Sequence, residues 1–138
     1  MRYFLIAGEA SGDLHAANLM RELKKQDVAA EFCFLGGNLM EQEAGIKPVI
    51  HYSKMAFMGI INVLLNLRTV LGNLKCCKQS LLQFKPDVVI LIDYPSFNLR
   101  VAKFVKKNTS IPVYYYISPK IWAWKEYRIK SIKKYIDK

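Results

Sequence analysis

Asp93 is the side chain best placed for acid–base chemistry in this sequence. It directly follows the apolar run Val88–Ile92, where a carboxylate loses hydration unless it has partners or a catalytic task. A general base that accepts a proton from a substrate is the chemistry that this position favours. Pro95 and Asn98 follow where the next helix is expected to begin, so an Asp93 that merely caps the loop remains the alternative.

A second set of polar groups lies in the segment Gly8-Glu9-Ala10-Ser11-Gly12-Asp13. Its glycines fit a tight strand-to-helix turn, but the segment lacks the GxGxxG of dinucleotide-binding folds and the GK[ST] of a P-loop. Glu9 and Ser11 could bind a sugar hydroxyl or a phosphate at the helix start. In the alternative, Ser11 and Asp13 only cap the following helix.

The two tryptophans, Trp122 and Trp124, follow Ser118 in a loop after the strand-like run PVYYYI. Loops run over the surface and carry sites, so two large aromatic rings there predict a binding rim. Rings that only cover the end of the sheet are the alternative.

Histidines and cysteines offer little further chemistry. His15 and His51 cannot be combined with a serine and an aspartate into a convincing triad, and His15 is interpreted as a helix-face histidine. The three cysteines form neither a CxxC pair nor a zinc-like cluster with histidine, which predicts reduced thiols in a cytosolic protein and no metal site. They are Cys33, Cys76 and Cys77.

The elements that position these groups alternate between strand and helix. Continuous apolar runs without alternation are typical of parallel strands covered on both faces, and the pattern predicts an α/β fold with a Rossmann-like, doubly wound parallel sheet. Each motif above follows a strand, so all are expected at one edge of the sheet. The predicted strands are Tyr3–Ala7, Glu31–Leu35, Val88–Ile92 and Val113–Ile117; the predicted helices are Asp13–Lys25, Asn38–Ala44, Asn66–Phe84, Asn98–Lys107 and Lys125–Tyr135.

Length and charge are those of one globular domain with a basic end. The chain has 138 residues and a net charge of +10, and residues 100–138 hold eleven Lys/Arg against two Asp/Glu. Such an end attracts nucleic acid, anionic lipid or a phosphorylated substrate, or is a solvated helix face. Nucleic-acid binding would rest on charge alone, because no helix-turn-helix, zinc or RNP-like motif is present.

The segment Met55–Leu71 is almost free of charge. It is interrupted by Asn62, Asn66 and Arg68, so no stretch reaches the ~18 apolar residues of a membrane-spanning helix. The apolar run at the amino terminus is too short for a signal peptide. A fully buried helix and an apolar patch that meets acyl chains or a bilayer surface are equally compatible with this composition.

Five motifs in order resemble the lipid-A-disaccharide synthase family: AGEASGD, GGNLM, AFMGIINVL, KPDVVILIDYPSFN and YYISPKIWAW. The resemblance implies the amino-terminal, acceptor-side half of a GT-B architecture. The whole chain would be one truncated domain without the donor-binding carboxyl-terminal domain, and it is expected to be inactive alone. The implied location is the cytoplasm, peripheral to the inner face of the inner membrane.

The reaction implied by the resemblance transfers 2,3-diacylglucosamine from its UDP donor to the 6-hydroxyl of 2,3-diacylglucosamine 1-phosphate (lipid X), with inversion and release of UDP. Asp93 would be the base, and neither metal nor cofactor is expected. A non-catalytic lipid-binding module at the membrane surface is the alternative. The substrate-binding residues would be Gly8, Glu9, Ser11, Gly12, Met58, Gly59, Asn98, Ser118, Trp122 and Trp124; the acyl-chain or membrane contacts would be Ile61, Val63, Leu64, Leu67 and Leu71.

The sequence departs from the family pattern at four positions. Ser96 stands where a second acid is usual, Asn62 where a glutamate is usual and Tyr115 where a histidine is usual, while Lys120 replaces a residue that is more often small. Asp93 and both tryptophans are retained, so the departures concern how the acceptor is positioned.

Overall fold

A computed structural model describes residues 1–55, 64–118 and 127–138. Within these ranges the strands are β1 (Arg2–Ala7), β2 (Glu31–Gly36), β3 (Ile50–His51), β4 (Val88–Ile92) and β5 (Val113–Ile117). The α-helices are α1 (Ala10–Gln26), α2 (Asn38–Ala44), α3 (Leu67–Phe84), α4 (Pro95–Asn108) and α5 (Tyr127–Tyr135), and a single 3₁₀ turn covers Tyr52–Lys54.

The strands form one parallel sheet in the order β3-β2-β1-β4-β5. From β1 the chain first winds outward through β2 to β3 and then returns to the other side of β1 as β4 and β5. This reversal makes the fold doubly wound and confirms the predicted fold class. It also leaves a crevice between the carboxyl ends of β1 and β4, where ligands of such sheets bind.

Helices cover both faces of the sheet. On one face α1 and α2 pack on Leu5, Phe34 and Ile90, and on the other α3 and α4 pack on Phe4, Leu35 and Leu91. Every residue of β4 is buried, which explains its unbroken apolar sequence, because a central strand meets a helical layer on each side.

Several predicted boundaries were wrong. The two-residue strand β3 was not anticipated, and α1 begins at Ala10 instead of Asp13. Helix α4 begins at Pro95 instead of Asn98, because proline is tolerated in the first turn, where its missing N–H has no helical partner. The first two residues of the predicted helix Lys125–Tyr135 lie outside the described residues.

The last residues fasten α4 to the sheet. The backbone N–H of Asp137 donates to the Val113 carbonyl at 2.8 Å, and the Asp137 carboxylate accepts from the Val113 N–H and from Lys106 Nζ, both at 2.8 Å. These bonds hold α4, β5 and residues 136–138 together at the amino end of β5.

Candidate active site

Two carboxyl groups meet in the crevice between β1 and β4. Ala7 and Ile92 are aligned partners at the ends of these strands, so Glu9 and Asp93 leave the sheet side by side. Both side chains are half-buried. The Glu9 carboxylate also accepts a hydrogen bond from Ser11 Oγ at 2.9 Å. The predicted convergence of these two motifs at one sheet edge is confirmed.

The turn that carries Asp93 is strained and firmly held. Asp93 and Tyr94 both have left-handed backbone conformations, with φ of 43° and 47°, and such residues each cost on the order of 1–3 kcal/mol. The Asp93 carbonyl accepts from Asn98 Nδ2 at 2.7 Å and from Tyr115 Oη at 2.5 Å. The Asp93 N–H donates to the Ile117 carbonyl at 3.0 Å. These bonds fix the direction of the Asp93 side chain.

Gly8 is required by the side chain that follows Asp93. A Cβ on Gly8 would lie 2.3 Å from the Tyr94 ring, so only glycine lets this ring lie across the end of β1. The Tyr94 hydroxyl donates to the Met55 carbonyl at 2.6 Å, which anchors the ring at its far end. Gly8 and Tyr94 thus pack β1 and β4 closely at the floor of the crevice.

The pKa of Asp93 is raised above its ordinary value. Desolvation by burial is the largest cause, followed by the negative charge of Glu9 and a hydrogen bond with the Glu9 carboxyl, while the positive charge of Arg128 acts in the opposite direction. A carboxylate with a raised pKa binds a proton more strongly and is therefore a better general base once ionised.

Asn98 and Asp13 have structural roles that differ from those predicted. Asn98 is fully buried and donates to the carbonyls of Ile92 and Asp93, so it positions the turn that carries Asp93. Asp13 does not cap α1: its carboxylate accepts from the N–H groups of Gly37, Leu39 and Met40 at 2.8–3.1 Å. It caps α2, across the sheet edge.

Ser11 does not cap α1 either, because the N-cap position is Glu9 and no side chain caps it. Ser11 is exposed and faces Glu9. Gly12 is buried, and a Cβ there would come within 3.3 Å of Ala7 Cβ, so it lets α1 approach β1. The alternative in which Ser11 and Asp13 cap α1 is therefore wrong: Ser11 bonds to the Glu9 side chain and Asp13 to the start of α2.

The described part of the apolar segment is exposed. Leu64 is 65% exposed and Leu65 77%, and Leu67 and Leu71 on α3 are 45% and 50% exposed. The alternative in which this segment is a fully buried helix is therefore wrong for these four residues. A cavity of about 180 Å³ lies beside them, between α3 and the start of α4, and is lined by Leu67, Val70, Leu74, Tyr94 and Phe97 among others.

Comparisons with known proteins identify the family. A profile of the family described as lipid-A-disaccharide synthetase matches residues 3–138. The chain belongs to the lipid-A-disaccharide synthase family. It is 43% identical over 133 residues to the lipid-A-disaccharide synthase of Nitrosococcus oceani, with 96% of this chain and 34% of the relative covered. The relative from Coxiella burnetii is 44% identical over 133 residues, 96% of this chain and 35% of its own length.

The chain thus spans about a third of the length of these curated synthases. Among solved structures, the fold is similar to that of a UDP-GlcNAc 2-epimerase from Neisseria meningitidis bound to UDP-GlcNAc. The TM-score is 0.59 at 18% identity, over 92% of this chain and 34% of that one. The likeness shows a shared fold, the one expected of the amino-terminal half of a GT-B enzyme.

The remaining residues that the synthase resemblance implied are only partly described. Ser118 is exposed just after β5, on the same sheet edge as Asp93. Six other predicted residues lie outside the described residues: Met58, Gly59, Ile61, Val63, Trp122 and Trp124. Within the described ranges, no three His, Cys, Asp or Glu side chains are grouped so that they could hold a metal, and no helix has the length and hydropathy to cross a membrane.

Sequence reasoning missed three residues that shape the surroundings of Asp93. Tyr94 and Tyr115 were not identified as supports of Asp93, although Tyr115 was noted as a departure from the family pattern. Arg128 belongs to the basic end, for which a solvated helix face was one alternative, yet it is only 8% exposed and its charge reaches Asp93. Arg128 is the only arginine on α5, where the other basic residues are lysines, but its place in the sequence does not show that it is buried.

Proposed function

We propose that this chain forms the acceptor side of a glycosyltransferase that makes the lipid A disaccharide. The donor is UDP-2,3-diacylglucosamine, the acceptor is lipid X, and the products are the β-1,6-linked disaccharide and UDP. The observation that carries the proposal is the Glu9–Asp93 carboxyl pair in the crevice of a member of this family. The donor site is assigned to the part of the synthase that lies beyond the matched third.

In the proposed reaction, Asp93 accepts the proton of the acceptor 6-hydroxyl as that oxygen attacks the anomeric carbon of the donor. The new bond joins the acceptor O6 to this carbon, while the bond from the carbon to the UDP oxygen breaks on the opposite face and the configuration inverts. UDP leaves with the bonding electrons. The raised pKa of Asp93 supports the first step, because it gives the carboxylate a higher proton affinity.

The exposed leucines are the proposed contact with acyl chains and with the membrane. Leu67 lines the apolar cavity, which reaches Tyr94 next to the proposed base, and Leu64 and Leu71 are exposed near Leu67 in the chain. Acyl chains of the acceptor could lie along this surface while the sugar enters the crevice. The proposed location is the cytoplasmic face of the inner membrane, where the basic third of the chain would meet anionic lipid.

The test is a transfer assay with UDP-2,3-diacylglucosamine and lipid X. The chain is assayed alone and together with the part of the N. oceani synthase beyond the matched region, and Asp93→Asn is compared with Asp87→Asn, an exposed aspartate of the same chemistry. We expect disaccharide only from the combined protein. Asp93→Asn should lower kcat by a factor of about 100 or more, as loss of a general base does.

Turnover of Asp93→Asn close to that of the native combined protein would exclude Asp93 as the base. If the chain binds vesicles but no disaccharide forms in any combination, the non-catalytic lipid-binding module replaces the glycosyltransferase. The Asp87→Asn control separates loss of the base from a general effect of removing one negative charge.

A further inference from the structure

A second cavity lies on the other side of the start of α4, between this helix and α5. Its volume is about 290 Å³. Helix α4 lines it with Pro95, Ser96, Arg100 and Lys103, and α5 lines it with Arg128 and Ser131 among others. We call this cavity the basic groove. Its first lining residue, Pro95, lies two residues after Asp93 in the chain.

The basic groove has the charge and the hydrogen-bond donors that an anion needs. Within the described part of the chain, no carboxylate oxygen lies within 4.0 Å of a side-chain nitrogen of Arg100, Lys103 or Arg128. Arg128 is only 8% exposed; its charge reaches Asp93, and an anion in the groove would bring a second negative charge to this buried guanidinium. Ser96 and Ser131 line the same cavity as these cations, and α4, whose dipole is positive at its start, begins there.

Three cations, hydroxyl donors and a helix start match a phosphomonoester better than a carboxylate or a sulfate ester. A phosphomonoester carries between one and two negative charges at neutral pH, and its terminal oxygens accept several hydrogen bonds, including bidentate ones from arginine. A carboxylate has two oxygens and one charge, and a sulfate ester has a single charge. Of these three anions, the phosphomonoester is therefore expected to bind most tightly in the groove, because it carries the most charge.

We propose that the basic groove binds the phosphate of the phosphorylated sugar acceptor, an inference that rests on the proposed function. Arg100 lines both the basic groove and the apolar cavity on the opposite side of α4. An acylated sugar phosphate bound over this helix start would place its phosphate in the groove and its acyl chains against the leucines. Its free hydroxyl would then face Asp93. Arg100 and Lys103 are the phosphate-binding residues, and Arg128 links this subsite to the base.

The experiment measures binding of glucosamine 1-phosphate to the 138-residue chain by NMR titration. We compare the native chain, the double variant Arg100→Gln/Lys103→Gln and the control Lys107→Gln, which removes one exposed lysine from the same helix outside the groove. The affinity should fall about tenfold or more in the double variant and less than about twofold in the control, because charge-assisted bonds to phosphate are lost only in the former. Glucosamine, without phosphate, should bind equally weakly to all three proteins.

Other probes identify the source of the phosphate. Inorganic phosphate should bind more weakly than glucosamine 1-phosphate but show the same loss in the double variant. Vesicles of phosphatidylglycerol test the lipid headgroup: binding to vesicles that depends on Arg100 and Lys103, with no such dependence for glucosamine 1-phosphate, would overturn the acceptor subsite. An equal loss in Lys107→Gln would also overturn it, because general charge attraction would then explain the binding.

The transfer assay separates this inference from the proposed function. If glucosamine 1-phosphate binds in the basic groove but no disaccharide forms with the remaining part of the synthase supplied, the proposed function fails while the phosphate subsite stands. If disaccharide forms and Arg100→Gln/Lys103→Gln has a native KM for lipid X, the subsite is wrong and the proposed function stands.

Discussion

At the scale of single residues, two charged neighbours shift the pKa of Asp93 in opposite directions. The carboxyl group of Glu9 raises the pKa of Asp93 and the guanidinium of Arg128 lowers it, both in addition to the larger effect of burial. Ser11 holds Glu9 in place through its hydroxyl. The proton affinity of the proposed base therefore depends on Glu9, at the N-cap of α1, and on Arg128 of α5, in addition to burial.

Glu9→Gln should lower the pKa of Asp93, because it removes a negative charge and a carboxyl partner that favour the protonated form. Arg128→Gln should raise it. NMR titration of the Asp93 side-chain carbon measures both shifts. Asp137 is the internal control, since its lowered pKa depends on Lys106 and the Val113 N–H. Equal Asp93 pKa values in native and Glu9→Gln proteins would contradict the paired-carboxyl description.

The raised pKa of Asp93 also predicts a stability cost at neutral pH. A carboxyl group with a raised folded-state pKa stabilises the fold below its unfolded pKa of about 3.9, and this contribution is lost as pH rises through the folded value. Asparagine does not ionise, so Asp93→Asn does not lose stability in this way as pH rises. Asparagine also tolerates the left-handed backbone conformation of residue 93. The variant should have a larger free energy of unfolding than the native chain at pH 7 and a smaller advantage at pH 4, measured in urea. A variant that is less stable at pH 7 would contradict this.

At the scale of elements, Asp13 is the residue that joins α1 to α2. Its side chain is 3% exposed and accepts three backbone N–H groups at the start of α2, from Gly37, Leu39 and Met40. No side chain of α2 itself serves as its cap. The short helix therefore depends on a carboxylate supplied by another element.

Asp13→Ala should lower the free energy of unfolding by about 2–4 kcal/mol, because it removes a cap and leaves buried N–H groups without an acceptor. Glu22→Ala is the control on the same helix, since Glu22 is exposed and forms a surface ion pair with Lys25; its cost should be below about 0.5 kcal/mol. Urea unfolding measures both. Similar costs for the two variants would show that the Asp13 bonds do not stabilise α2.

The sequence predicted the sheet but not the contacts between elements. Strands β1 and β4 are buried on both faces, so their apolar runs mark them clearly, whereas the two residues of β3 carry no such pattern. The meeting of Glu9 with Asp93 followed from parallel strands ending at one edge. The Asp13 cap and the position of Arg128 could not be predicted, because each depends on how separate helices pack. Proline at the start of α4 also fits a helix that begins earlier than Asn98.

At the scale of the whole molecule, charge and apolar surface are arranged around the crevice. The basic excess lies in residues 100–138, and α4 and α5 place part of it in the basic groove. The exposed leucines lie at the start of α3, across the first turn of α4 from the groove. A phosphorylated, acylated ligand and an anionic bilayer present the same combination of charge and hydrocarbon, so one surface could meet both.

The proposed membrane contact predicts that substitutions at the two ends of α3 affect vesicle binding differently. Leu67 and Leu82 both lie on α3 and are 45% and 47% exposed, but only Leu67 borders the apolar cavity. Leu67→Asp should weaken binding to phosphatidylglycerol vesicles about tenfold, because placing a charge where the leucine side chain would enter the bilayer costs at least about 1.4 kcal/mol. Leu82→Asp should change it less than about twofold. Vesicle sedimentation measures both, with circular dichroism to check folding.

The salt dependence of the same measurement tests the electrostatic part. Attraction of lysines and arginines to an anionic surface falls off within a Debye length, about 8 Å at physiological ionic strength. Binding of the native chain should therefore weaken with added salt and on neutral phosphatidylcholine vesicles, while the ratio between native and Leu67→Asp stays nearly constant. Equal losses of vesicle binding in Leu67→Asp and Leu82→Asp would mean that the start of α3 does not enter the bilayer. The leucines would then contact only the acyl chains of the substrate.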